Sequence, residues 1–538
     1  MSQMNLKKTI PMTWMLPAAM LALVLLLPMR ALAAAPGITG PTFKLTAQTA
    51  FLNQPDGSTV YSWGYGCNGA PAGWAPAAIA PPSTGCPTMQ IPGPTLIVTE
   101  GQTVTVSLTN NLPTAAGNTS ILFPGFQVST SCGSATGCAN GLLTREALPG
   151  KTVIYTFKAT SPGTRAYYSG TQSDLQIEMG MYGAIIVLPA HVPTACSAGL
   201  PVVNPGGNKA AQAKWGESDF RLSQSAYDHD KTCYDREYLF QFAEMDANIH
   251  KQALAQVTAR AGCTAGTSGC SLEIPTEPYH PSYFVINGRS MPDDMDPNYA
   301  VEYPHQPYNG NPHLHPGEQV LLRVIGQGRW QHPFHEHANH VRILARDGNL
   351  ILSQSSPEDL AGPPLFTTTT TPGLAFDGIF LFTGRGLNWD MYGHNPGSSD
   401  PNAVLSCTPD VDGFNTGAPT AINYYEWCAD HNKPLQVAPF GDVASGGPAT
   451  LPDPDIFTNG AWYSGSPYLG PDATTRATGP TSSFLPANMQ ANPANERGWA
   501  FMWHSHNERE ITTNNTFPGG MLMMMLVDSR EFVIDESN

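Results

Sequence analysis

A chain of 538 residues exceeds one small module and, at roughly 100 to 200 residues per domain, holds two to four of them. Hydrophobic residues at 41% and charged residues at 13% exclude a disordered polyelectrolyte, while 52 glycines and 50 prolines point to a turn-rich, mostly β protein. The formal charge of −16, without any basic run or stripe, argues against nucleic-acid binding because such a surface repels phosphate.

Taken from the N-terminus, residues 1–35 read as a secretory signal. Lys7 and Lys8 precede an apolar run from Met12 to Met29, and small residues around Ala31, Leu32 and Ala33 suit cleavage. Pro17 and Pro28 weigh against the alternative of an uncleaved membrane anchor. The expected location is periplasmic or secreted, with no membrane attachment after cleavage. All ten cysteines lie beyond the signal, and their even number fits an oxidising compartment. Pairing of near neighbours gives Cys67/Cys86, Cys132/Cys138, Cys196/Cys233, Cys263/Cys270 and Cys407/Cys428, a connectivity that spacing alone does not fix.

Residues 36–190 alternate short β-like runs with Gly, Pro and Asn turns: Thr95 to Glu100, Thr103 to Thr109, Thr152 to Ala159 and Ala184 to Leu188. This is the texture of a β-sandwich. Residues 191–230 read as a Pro/Gly-rich linker. A second domain is expected over 231–538. It opens with a strand from Glu237 to Ala243 and a short helix from Asp246 to Ala261, and β runs resume at Tyr283, Gln319, Val341, Gly378 and Met521. Within it, about 395–495 is rich in Gly, Pro, Ser and Asp and reads as a long loop insertion, with a third degenerate sandwich as the alternative.

Histidine carries the chemical signal. Eight of the fifteen fall in tight clusters: His313/His315, His332/His335/His337/His340 and His504/His506. Two histidines at i and i+2 on a strand project from one face, so each pair offers two imidazoles to one metal ion. Imidazole suits copper, zinc, iron and nickel, and without thiolates this ligand set does not choose among them.

At these motifs the chain resembles the multicopper oxidases of the cupredoxin superfamily. The segments IPGPTLIVTEGQTVTVSLTNNLP (91–113), PGKTVIYTFKATSPGTRAYYSG (149–170), YFVINGRSMP (283–292), HPFHEHANH (332–340) and WHSHNERE (503–510) carry the likeness. The resemblance implies an all-β fold of tandem cupredoxin-like Greek-key β-sandwiches. It also implies a three-copper cluster built from four H-x-H pairs. Of those, His335/His337 and His504/His506 remain, while Leu122, Pro124, Tyr168 and Gly170 fill the first-domain slots. The blue copper centre, which needs a Cys thiolate, keeps only His332 and, as axial group, Met521; Ser505 replaces the Cys and Glu510 the trailing His.

Other residues leave alternatives open. His313 and His315 form either a second metal pair or a solvated turn, and His340 reads as a hydrogen-bond partner of a ligand. Met521, Met523 and Met525 line a core strand or bind Cu(I), and Glu508 and Glu510 belong to a charged surface loop or act as ligands or a general base. The metal set is therefore His335, His337, His504, His506 and His332, holding one or two copper ions, with zinc the weaker alternative. Three functional readings compete: a copper-binding protein with a reduced site and redox capacity, a scaffold for a small-molecule or protein partner, and a zinc hydrolase. A homo-oligomer is compatible with each, although two-domain relatives complete their clusters by trimerising and this chain has no histidines in the lost slots.

Overall fold

The computed structural model describes residues 35–77, 85–197, 217–382, 384, 408–417, 424–429, 465–468, 498–528, 530 and 532–534. Residues 1–34 of the expected signal, residues 198–216 of the expected linker and most of the expected insertion lie outside these residues.

Two sheets enclose the first core. One runs in the order Gly163–Tyr168, Tyr182–Leu188, Gly93–Thr99, Gly37–Thr39, Trp74–Ala75, and the other Thr59–Cys67, Thr42–Asn53, Thr103–Asn110, Thr152–Lys158, Ser129–Cys132. The runs read from alternation became strands within a residue or two of their expected ends. The Thr103–Asn110 strand shows why, with Val104, Val106 and Leu108 buried between half-exposed neighbours. The long Thr42–Asn53 and Thr59–Cys67 strands escaped that reading. From Val60 to Cys67 every residue is buried, so no alternation is visible.

The cause of that two-sided burial is the helix Ala247–Ala259. Asp246 caps it, accepting from the Asn248 amide at 2.9 Å. The sequence assigns this helix to the N-terminal end of the second sandwich, whose first strand it follows. Instead its Ile249 and Ala253 enter the first core, and His250 Nδ1 donates to the Tyr61 carbonyl at 2.6 Å. An amphipathic helix buries its apolar stripe wherever a complementary sheet face is open, and here that face belongs to the Thr59–Cys67 strand.

The second sandwich repeats the plan. One sheet orders Tyr283–Ile286, Arg236–Met245, Gln319–Gly326, Ala375–Leu381, Val341–Arg346 and Asn349–Leu350; the other orders His313–Leu314, Leu522–Asp528, Gly498–Ser505, His332–Glu336 and Thr367–Thr370. Their inner faces share a core of Phe240, Phe242, Phe334, Phe380, Trp503, Met521, Met523 and Met525. The three methionines are fully buried, so they form the thioether-lined core strand. The two sandwiches pack through Ile91, Met89 and Tyr182 against Met245, Tyr283 and Val285, and through Ile186 against Leu239 and Ile325.

Four of the expected cysteine pairs are disulfides: Cys67–Cys86, Cys132–Cys138, Cys196–Cys233 and Cys263–Cys270. Cys428 is also disulfide-bonded, and Cys407 lies outside the described residues.

Candidate metal centre

Strand pairing assembles the histidines. His332–Glu336 runs antiparallel to Gly498–Ser505, placing His335 directly opposite His504 and Phe334 opposite Ser505. Because side chains alternate, Phe334 and Ser505 turn into the core while His335, His337, His504 and His506 share the other face. Ring centroids are 4.7 Å apart for His335 and His506, 4.8 Å for His335 and His337, and 5.0 Å for His337 and His504. One nitrogen from each of His335, His337 and His504 lies within 4.8 Å of the others.

The hydrogen bonds fix how these rings present themselves. His504 Nδ1 lies 2.7 Å from the Ser505 carbonyl, which can only accept, so the proton of His504 sits on Nδ1. Its Nε2 therefore offers a lone pair to His337 Nε2 at 3.1 Å, and His337 supplies the proton between them. Thr367 Oγ1 holds His335 Nδ1 at 2.6 Å. Burial, reinforced by the neighbouring imidazoles, pushes His335 down to about 4 and His337 to about 3, and burial also lowers His504. The three rings are thus neutral at physiological pH, the form that binds metal. His506 is exposed and forms the solvent side of the cluster. A nitrogen-only set of neutral imidazoles, two of them joined by one displaceable proton, fits copper or zinc.

His332 is not part of this constellation, which corrects its place in the expected ligand set. Three residues before His335, it shares the core face with Phe334. Its Nδ1 is 2.9 Å from Glu510 Oε2 and its Nε2 is 3.0 Å from Glu244 Oε2, so both ring nitrogens are taken. Against the cost of burial, hydrogen bonds to Glu244 and Glu510 lift it to about 9. Ser505 Oγ donates to the same Glu510 oxygen. The slots of a blue copper site are therefore filled by a carboxylate, imidazole and hydroxyl network. Glu510 is buried, contrary to the expected surface loop, whereas Glu508 is exposed.

The first-domain slots have closed on themselves. Leu122 and Tyr168 exchange backbone hydrogen bonds, at 2.7 Å from the Leu122 amide, and a Cβ on Gly170 would meet the Leu122 side chain at 2.8 Å. Burial raises the Tyr168 hydroxyl above its ordinary range, so Tyr168 packs as a neutral ring. His313 and His315 are no solvated turn. Both are buried beside the Leu522–Asp528 strand, His313 on Asp528 at 2.8 Å and His315 on Glu217 at 2.9 Å. Arg236 bridges Glu217 and Glu318 and supplies the cation there. The His340 ring packs on Phe366 at 5.1 Å, and Phe366 on His335 at 5.8 Å.

Residues 86–191 match the family model of a multicopper oxidase domain. Among solved structures, the multicopper oxidase mgLAC aligns at a TM-score of 0.42 and 15% identity, over 90% of this chain and 86% of that one. The blue copper oxidase from Nitrosomonas europaea aligns at 0.42 and 14%, over 90% and 85%. A copper nitrite reductase from Nitrosomonas europaea aligns at 0.35 and 18%, over 68% and 99%. No curated protein sequence matches the chain. Over the matched segment the first sandwich is thus similar to a multicopper oxidase domain. That segment contains Leu122, Pro124, Tyr168 and Gly170, the positions at which the resemblance implies histidine pairs that this chain lacks.

Proposed function

We propose that the protein is an exported copper-binding protein in which His335, His337, His504 and His506 hold one copper ion or a closely spaced pair. The observation that carries this reading is the convergence of four imidazoles from two paired strands, with His504 presenting a lone pair toward His337. Bound copper would supply one-electron redox chemistry at the solvent side formed by His506. The protein's own groups orient and shield the site: Thr367 holds His335, the Ser505 carbonyl holds His504, and burial keeps the rings unprotonated. Full four-electron oxygen reduction is not part of this function. The slots that would complete the cluster contain Leu122, Pro124, Tyr168 and Gly170, and a serine hydroxyl lacks the thiolate covalency of the blue centre. Export is supported by the signal-like leader and by the disulfides.

Metal content, optical and spin-resonance spectra of protein purified from an oxidising compartment test this reading, beside the variant His335→Ala/His504→Ala. One or two coppers per chain without an intense blue band, lost in the variant, is the expected result. Absence of stoichiometric metal after copper reconstitution refutes it and leaves the partner-binding scaffold. Stoichiometric zinc with a hydrolytic rate lost in His335→Ala selects the hydrolase.

A further inference from the structure

A cavity of about 1020 Å³ opens on the outer face of the second sandwich. Its floor follows from strand alternation. Val341, Ile343 and Phe380 turn into the core, so Arg342 and its cross-strand neighbour Ile379 turn outward, joined by Leu381 opposite Gln319. Gln319 extends this surface to a third strand, and Leu344, past the register shift after Ile343, lies almost wholly buried at its edge. The floor is largely apolar, which suits a ligand with an apolar body. The Cys196–Cys233 disulfide ties together the two turns that supply Ala195 and Lys231 to the facing wall, so that wall is fixed covalently.

The charges of the lining are unequal in their partners. Lys231 is ion-paired with Asp359, and Asp230 is exposed beside it. Arg342 donates only to the Gly362 carbonyl, at 2.9 Å, and among the described residues no carboxylate pairs with it. A guanidinium rising from an apolar floor recognises a carboxylate through paired N–H donors and excludes an uncharged isostere.

We propose that this cavity binds a carboxylate with an apolar body larger than a single ring, the body resting on Ile379 and Leu381 and the carboxylate on Arg342. The cavity's volume exceeds what a single ring fills, and its His340 end lies one aromatic ring, Phe366, from His335. Binding does not depend on copper, so the test uses the full chain stripped of metal. Calorimetric titration with biphenyl-4-carboxylate is expected to give saturable binding at one per chain. Affinity should fall about tenfold or more in Arg342→Gln and for the uncharged biphenyl-4-methanol, and recover in part in Arg342→Lys. Unchanged circular dichroism confirms that each variant is folded. No saturable binding by the wild type, or equal affinity in folded Arg342→Gln, overturns the proposal.

Discussion

Replacing His332 with glutamine tests whether a proton now stabilises the position that a blue copper would occupy. His332 is fully buried between Glu244 and Glu510, and hydrogen bonds to these carboxylates lift it from 6.5 to about 9. A group whose folded value lies above its unfolded value contributes stability that is complete below pH 6.5 and fades as pH rises through about 9. At roughly 1.4 kcal/mol per pH unit, that gap corresponds to about 3 kcal/mol. Urea denaturation followed by tryptophan fluorescence at pH 6 and pH 10, in wild type and His332→Gln, isolates this component because other titrating groups are common to both. The wild type should lose about 3 kcal/mol more than the variant over that range. Equal losses would refute the account of His332 as a buried imidazolium.

The same network predicts a route to a blue centre. In Ser505→Cys/Glu510→His, Glu244 still holds His332 Nε2 and leaves Nδ1 facing a thiolate, an imidazole and the nearby Met521, so added copper should give an intense visible band; a colourless complex would count against this placement. Phe334 packs at a tilt against Phe242, with ring centroids 4.8 Å apart in the second core, and Phe334→Ala should cost about 3 to 5 kcal/mol in denaturant unfolding. Asp246 accepts from both the Asn248 and His280 amides, at 2.9 and 2.8 Å, so Asp246→Ala should lower stability by about 1 to 2 kcal/mol, and a neutral effect would show that the cap is dispensable. Gly170→His alone should not extend the metal site. Leu122 already fills the space at 2.8 Å, so the variant is expected to lose stability without gaining a second metal by elemental analysis.

The sequence by itself determined the mostly-β architecture wherever one face of a strand meets solvent, as along Thr103–Asn110, because period-two burial leaves a visible alternation. It also determined the pairing of His335 with His337 and of His504 with His506, since i and i+2 on a strand must share a face. Where burial is two-sided, as from Val60 to Cys67, alternation vanishes, and only the docking of the Ala247–Ala259 helix from across the chain explains it. The tertiary structure alone decided three further matters. Register set His335 opposite His504, so two sequence-distant pairs became one cluster. Strand alternation across that register sent His332 to the other side of the sheet, where Glu244, some ninety residues earlier, and Glu510 hold both nitrogens. Long-range pairing also buried His313 and His315 among Glu217, Arg236 and Asp528, where the local sequence suggests a solvated turn. In each case a local pattern fixes which way a side chain points, whereas its partner comes from strands whose order no local pattern encodes.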